Sequence, residues 1–152
     1  MANGRTYGIT FPFRDSFDGK YLDLTDYDNE EIRSNLIHLL LTRKGTRYFL
    51  PDFGTRLYEY IFEPLDGATF NQIESEIRDS VDKYIPNLLV KAISVYAATD
   101  DLTTSVTTEG TLDVNTYNLP GRNEYEYTAK VKIDYTITTG VFNSSDFVII
   151  NI

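Results

Sequence analysis

The chain has 152 residues, of which 41% are hydrophobic and 24% are charged, a composition typical of a globular domain rather than of a disordered chain. Its 14 basic and 23 acidic residues give a formal charge of -9, which would repel a phosphate backbone, so we expect no nucleic-acid partner. The sequence has no cysteine, which excludes disulfides, thiolate metal sites and cysteine nucleophiles.

The N-terminal residues 1–27 scatter Gly4, Gly8, Pro12 and Gly19 among aromatic and acidic residues. This pattern predicts an irregular or short-stranded arm that lies across a larger body. No apolar run is long enough to span a bilayer, and the N-terminus lacks the apolar core of a signal peptide. We therefore expect one domain over residues 1–152 that is soluble, made in a cytoplasm and without a membrane partner.

A first helix is predicted over residues 29–42. Asp28 and Glu31 have the spacing of a capping box, and Gly45 supplies a stop. Between them, apolar residues recur at helical spacing at Ile32, Leu36, Leu39 and Leu40. The following segment, residues 42–64, is dense in turn formers and aromatics, and it has room for at most one short helix between Thr55 and Phe62.

A second and clearer helix is predicted to begin at the capping box formed by Thr69 and Gln72 and to end at Pro86. One face of this helix is apolar: Phe70, Ile73, Ile77, Val81 and Tyr84. The apolar, partly β-branched residues 88–96 that follow have the length of a strand. Residues 98–123 are rich in Thr, Asp, Asn and Gly, and we interpret them as an insertion or as a hairpin that turns at Glu109-Gly110.

The last two predicted strands differ in pattern. Residues 124–138 alternate strictly, with one apolar face made by Tyr125, Tyr127, Ala129, Val131, Ile133, Tyr135 and Ile137. At about 3.3 Å per residue this strand would reach roughly 50 Å, so part of it is expected to project and to pair with a partner chain. The uncharged terminal run Phe147, Val148, Ile149 and Ile150 fits either a central buried strand or a strand donated to a neighbour.

These elements predict an α+β fold in which two main helices pack on a mixed or antiparallel β-sheet. The long strand and the C-terminal strand would be available for pairing with partner chains. The side chains expected to take part are those of Val131, Ile133, Tyr135, Phe147, Val148, Ile149 and Ile150.

Catalytic and cofactor chemistry has little support in the sequence. The single histidine, His38, lies within the apolar first helix, which favours a packed or interfacial role over a metal or triad role. Glu63 and Asp66 could be proposed as a glycosidase pair, but nothing marks one of them as the acid and the other as the nucleophile. No phosphate-binding glycine motif is present. We expect no enzyme activity, no cofactor and no metal.

The segment from the first helix to the second resembles the baseplate wedge and sheath-initiator family of contractile phage tails, a lysozyme-like family also found in type VI secretion and related injection systems. The resemblance covers about residues 9–96 and follows the order Leu-Leu-Thr-Arg-x-Gly-x-Arg, Pro-Asp-Phe-Gly, Phe-Glu-Pro. The matching residues are Leu40, Leu41, Thr42, Arg43, Gly45, Arg47, Pro51, Asp52, Phe53, Gly54, Phe62, Glu63 and Pro64. In this block Arg43 and Arg47 are expected to bind buried carbonyls or the acids Asp52 and Glu63.

The resemblance implies a structural subunit of the tail baseplate in the virion, assembled in the bacterial host cytoplasm. Its implied partners are wedge proteins, the tail sheath, and the tail tube or hub, with six copies per baseplate. It would link the wedge to the sheath and template sheath assembly by β-strand pairing. The alternatives are the same role in a type VI secretion or extracellular contractile system, and a lysozyme-like cell-wall hydrolase.

One motif departs from the family. The second long helix typically ends there in Glu-Pro-Arg, whereas this chain has Ile85, Pro86 and Asn87. Only Pro86 is retained. The charged contact that the family motif makes is therefore expected to come from another group, such as Lys83 or Lys91.

Overall fold

The computed structural model describes residues 8–16, 19, 21–25, 27–64, 66–97, 116–118, 129–138 and 143–152. The predicted turn at Glu109-Gly110 and the first five residues of the predicted long strand, 124–128, lie outside the described residues. The elements, in chain order, are β1 (Gly8–Ile9), β2 (Leu24–Thr25), α1 (Asp28–Leu41), a 3-10 helix (Tyr60–Phe62), α2 (Gly67–Tyr84), β3 (Leu88–Ala97), β4 (Thr116–Asn118), β5 (Ala129–Ile137) and β6 (Ser144–Asn151).

Both predicted helices are confirmed, but neither begins at its predicted cap. Helix α1 includes Asp28, and its N-cap is Tyr27, which provides no side-chain hydrogen bond. Helix α2 is capped by Asp66, whose carboxylate accepts a hydrogen bond from the Thr69 amide at 2.9 Å. Thr69 is therefore a buried residue of the first turn rather than its N-cap, and the Asp66 carboxylate satisfies its amide.

The main sheet has four strands in the order β3-β5-β6-β4. Strand β5 is antiparallel to both β3 and β6, whereas β4 runs parallel to β6. The α+β class is thus confirmed, and of the two predicted forms of the sheet, mixed or antiparallel, the mixed form is found. In the N-terminal arm, β1 and β2 form a separate antiparallel pair, as the prediction of a short-stranded arm requires.

The alternation predicted for the long strand is confirmed over β5. Its apolar face is buried throughout: Ala129, Val131, Ile133, Tyr135 and Ile137. For the C-terminal strand the sequence allowed either a central buried position or donation to a neighbour. In the structure β6 lies between β5 and β4, which is a central position. Its register with β5 runs from Ser144 opposite Ile137 to Asn151 opposite Lys130.

The hydrophobic core lies between the helices and one face of this sheet. Its fully buried members from the helices include Leu36, Leu39, Leu40, Ile77 and Val81, and they form one cluster with Val148 and Ile150 of β6. Leu57, in the segment between the helices, is equally buried. The core therefore fixes the segment that carries the family-like motif.

Candidate functional site

The motif loop, residues 42–55, leaves the end of α1 and returns to it. Its stem is closed by two backbone hydrogen bonds, from the Thr55 amide to the Thr42 carbonyl at 2.9 Å and from the Lys44 amide to the Thr55 carbonyl at 3.1 Å. These bonds produce an isolated parallel bridge between Arg43 and Thr55. The two ends of the loop are thus held side by side.

Two threonine hydroxyls attach the stem to the last turn of α1. The buried Thr55 Oγ1 donates to the Leu40 carbonyl at 2.9 Å, and Thr42 Oγ1 donates to the His38 carbonyl at 2.6 Å. The last carbonyls of a helix lack the usual intrahelical partners; the Thr55 hydroxyl satisfies that of Leu40, and the His38 carbonyl accepts from both the amide and the hydroxyl of Thr42. The stem is consequently part of the rigid core.

The two motif glycines allow the loop to turn. Gly45 has a φ of 90° and Gly54 a φ of 114°, backbone angles that residues other than glycine rarely adopt. The Gly45 amide donates to the Pro51 carbonyl at 2.7 Å. A Cβ atom at Gly54 would lie 2.4 Å from the Thr42 carbonyl oxygen. That position therefore requires glycine for space as well as for backbone conformation.

Arg43 and Arg47 were expected to bind buried carbonyls or the acids Asp52 and Glu63, and among the described residues neither arginine forms an ion pair with these acids. The Arg47 guanidinium lies 4.6 Å from the centre of the Phe53 ring, and Asp52 forms its ion pair with Lys83 at 3.7 Å. Within the described ranges no salt bridge involves either arginine. A weakly hydrated guanidinium stacks readily on an aromatic face, and this contact replaces the carboxylate.

Phe53 joins the motif loop to both helices. Its ring centre is 5.6 Å from that of His38 on α1 and 5.1 Å from that of Tyr84 on α2. The predicted packed role of His38 agrees with these contacts, and Phe11 of the N-terminal arm covers its other side at 5.1 Å. Burial and the nearby charge of Arg47 lower the pKa of His38.

The motif loop and the altered helix end meet at one cleft of about 420 Å³. Arg47 and Phe53 line it from the loop, and Pro86 lines it from the turn after α2. Asp28 and Glu31, at the start of α1, supply carboxylates. The structure therefore brings these three predicted motif residues together around one concave surface.

Leu40 and Gly54 of the motif are buried, whereas several of its other residues face solvent. Phe62 is 90% exposed at the end of the 3-10 helix, and Glu63 and Pro64 after it are also exposed. On the motif loop, Tyr48 and Phe49 are 97% and 100% exposed, and Leu50 is 43% exposed. Nothing in the sequence marks residues 48–50 as exposed, because an apolar triplet is as readily buried as exposed.

The predicted strand-pairing residues already have partners in this chain. Val131, Ile133 and Tyr135 lie on β5, which has β3 on one side and β6 on the other. Phe147, Val148, Ile149 and Ile150 lie on β6, whose last residues pair with β4. Because its backbone positions are taken on both sides, β5 cannot accept a partner strand unless β3 or β6 leaves.

Two stretches of sheet edge have no neighbouring strand among the residues that the structure describes. One is the outer side of β3, Leu88–Ala97, and the other is the outer side of β6 over residues 144–148. The first half of β3 has a β-bulge between Val90 and Ala92, at the exposed Lys91. Bulges of this kind hinder the pairing of another strand with a sheet edge. Residues 93–97 of β3 continue in regular register with β5.

The geometry does not favour hydrolysis at the proposed carboxylate pair. Asp66 caps α2, and its hydrogen bonds from Thr69 lower the pKa of its carboxyl group, whereas a general acid needs a raised pKa. In the described part of the chain no three His, Asp or Glu side chains are grouped so as to hold a metal ion. No helix within those same ranges has the length and apolarity needed to cross a membrane.

Two solved structures share this fold. A protein from Geobacter sulfurreducens described as a tail lysozyme superposes with a TM-score of 0.56 at 16% identity, covering 83% of this chain and 92% of its own. A chain of the anti-feeding prophage baseplate, determined with six-fold symmetry, superposes with a TM-score of 0.53 at 16% identity, covering 93% of this chain and 82% of its own. The chain therefore shares its α+β fold with both of these proteins.

The sequence places the chain more narrowly. The profile of the family described as baseplate wedge protein gp25 matches residues 26–117, and the chain belongs to this family. It is also similar to baseplate wedge protein gp25 of Enterobacteria phage T4, with 35% identity over 72 residues. That match covers 47% of this chain and spans about half of the relative, 54% of its length.

Proposed function

We propose that the protein is a structural subunit of a contractile tail baseplate that links the wedge to the tail sheath. The observation that carries this proposal is membership of the baseplate wedge family over residues 26–117. The subunit is present in six copies around the tail, contacts wedge proteins and the tube or hub, and is assembled in the host cytoplasm. The same role in a type VI secretion or extracellular injection machine is the alternative, and the genes beside its own distinguish the two.

The link to the sheath is a strand added to an edge of the four-stranded sheet. Main-chain hydrogen bonds supply affinity in this mode, and alternate side chains supply specificity. Support comes from residues 93–97 of β3, which follow the bulge and have no outer neighbour among the described strands. On this strand Tyr96 is 46% exposed and offers an aromatic surface to an added chain.

The outer side of β6 at residues 144–148 is the second candidate edge, and it keeps the expected pairing role of Phe147 and Val148. It has the same length as residues 93–97, but its Phe147 amide already donates to the Asp146 carboxylate at 2.8 Å. The sheath strand would have to displace that bond. We therefore place the pairing at β3.

The subunit acts without catalysis. Its relative in phage T4 is described as a wedge protein, and Asp66 is engaged as a helix cap. A peptidoglycan-release assay with the purified chain should give no activity. Release that is abolished by Asp66→Asn or Glu63→Gln, in a protein that still folds, would overturn this part of the proposal.

Proline variants at the β3 edge test the link to the sheath. Successive strand residues direct their amides to opposite sides, so one of Ser94→Pro and Val95→Pro removes an outward amide and the other removes a bond to β5. The variant that keeps the native circular dichroism spectrum is the outward one. Particles lacking the native chain are then complemented with this variant.

We expect baseplates that contain the folded variant but carry little or no assembled sheath. Leu89→Ala, at a 57% exposed position of the blunted half of β3, is the matched control and should support normal sheath assembly. Normal sheath on the folded proline variant would contradict pairing at β3. Hydrogen exchange with sheath protein added would then show whether residues 144–148 gain protection instead.

A further inference from the structure

The tip of the motif loop, residues 46–50, exposes three successive apolar side chains. Phe49 is 100% exposed, Tyr48 97% and Leu50 43%. Consecutive exposed apolar residues are unusual on a soluble surface and mark interaction sites. Nothing in the described core covers them, whereas Phe53, only three residues after Leu50, packs against Tyr84.

The tip is held on a rigid stem. Below it, the Phe53 amide donates to the Leu50 carbonyl at 3.0 Å, the Gly45 amide to the Pro51 carbonyl at 2.7 Å, and the Thr46 hydroxyl to the Arg43 carbonyl at 2.7 Å. An aromatic side chain presented by a preorganised loop loses little conformational entropy when it binds. This arrangement suits insertion into a pocket that already exists.

The surroundings of the tip are basic although the chain is acidic. Residues 43–56 contain four of the 14 basic residues and one acidic residue, in a chain of formal charge -9. Lys44 and Arg56 have partners in Glu76 and Glu59. Arg43 and Arg47 form no salt bridge within the described residues, and both are exposed. Their charges are therefore available to carboxylates of another molecule.

We propose that this tip anchors the subunit in an apolar pocket, rimmed by carboxylates, on a second protein of the baseplate. Phe49 and Tyr48 fill the pocket, while Arg43 and Arg47 face its acidic rim. Aromatic and arginine side chains are the residues that most often dominate the binding energy of interfaces. This contact uses residues separate from the sheet edges and is independent of sheath pairing.

Two other occupants fit less well. An anionic bilayer would also attract the arginines, but it offers no preformed pocket to a tip that the stem already holds in place. A second copy of this chain offers a cleft with Asp28 and Glu31 on its wall, but that cleft is already lined by the copy's own Arg47. The observations therefore favour a different, acidic protein.

The test begins with the assembled particle. Phe49 is replaced by the photoreactive analogue benzoylphenylalanine, which its full exposure permits, and the cross-linked peptide is identified by mass spectrometry. The proposal expects a peptide of another baseplate protein with apolar residues and a cluster of Asp or Glu. A cross-link to a second copy of this chain or to lipid, or no cross-link at all, would overturn it.

Binding of that purified baseplate protein then tests the chemistry. Phe49→Ala should weaken binding by about tenfold to a hundredfold, the range for removing one buried aromatic side chain. Tyr21→Ala, at a 98% exposed position of the N-terminal arm, is the matched control and should change nothing. Equal binding by Phe49→Ala and by the control would contradict the anchor.

Charge reversal tests the acidic rim. Arg47→Glu should weaken binding, and exchanging the cross-linked carboxylate of the partner for arginine should restore it. Failure of this rescue would contradict the proposal that Arg47 faces an acidic rim of the pocket. Sheath assembly on particles and hydrogen exchange at β3 report separately on the proposed function, so loss of one contact is distinguished from loss of the other.

Discussion

Replacing Gly54 by alanine should destabilise the protein more than the same change at any other glycine that the structure describes. Its φ of 114° would strain a residue with a side chain by about 1–3 kcal/mol. The new Cβ would lie 2.4 Å from the Thr42 carbonyl oxygen, and relieving that overlap costs about 1–3 kcal/mol more. The sum, about 2–6 kcal/mol, is a large part of the roughly 5–15 kcal/mol that holds a typical domain folded.

Two other glycines separate the contributions. Gly45→Ala, with a φ of 90° and no atom within 4 Å of the new Cβ, should cost only the backbone strain. Gly67→Ala, in the first turn of α2 with the same open space, should be neutral or stabilising by up to about 1 kcal/mol. Urea unfolding followed by circular dichroism gives the three free energies. An effect at Gly54 no larger than that at Gly45 would refute the contact with Thr42.

Three further predictions concern the sheet and the helices. Deleting residues 147–152 removes Val148 and Ile150, which are fully buried in the central β6, so circular dichroism should show an unfolded chain; a retained helical spectrum would mean that β6 is dispensable. Tyr135→Phe removes the hydroxyl that donates to Asp146 at 3.3 Å and should lower the free energy of unfolding by roughly 0.5–1.5 kcal/mol, whereas an unchanged urea midpoint would show that this bond contributes nothing. Because the pKa of His38 is lowered in the folded state, the unfolded chain binds its proton more tightly, and the stability present above about pH 6.5 should be lost as the pH falls below that value through the lower pKa of the folded state. His38→Gln should remove that part of the decline below about pH 6.5, and an equal decline in both proteins would contradict the assignment.

The regular elements could be predicted because their apolar residues repeat with a clear period. The strict alternation around Val131 and Ile133 can describe only a strand with one buried face, and β5 has that form. The terminal run of β6 has no such period, so sequence alone could not decide between a central and a donated strand. The predicted cap of α2 was wrong because Asp66 and Thr69 are both good N-cap residues, and the sequence does not show which of them begins the helix.

In the motif loop, the sequence predicted the turn but not the partners or the exposure of its side chains. Its glycines and Pro51 indicated a turn, and the structure explains both glycines. The partner of Arg47 was mispredicted, because neighbouring charges in a sequence do not reveal which side chains stack. Apolar character also failed to distinguish Leu57, which is fully buried, from Phe49, which is fully exposed. Such differences arise from the path of the loop across the core.

A cryo-EM reconstruction of the assembled tail, at a resolution that separates the strands, tests the central proposal most directly. The proposal predicts this chain at the boundary between baseplate and sheath, with a strand of the sheath protein in backbone register with residues 93–97 of β3. A sheath that touches the chain only through side chains, or that begins on another subunit, would contradict the proposal.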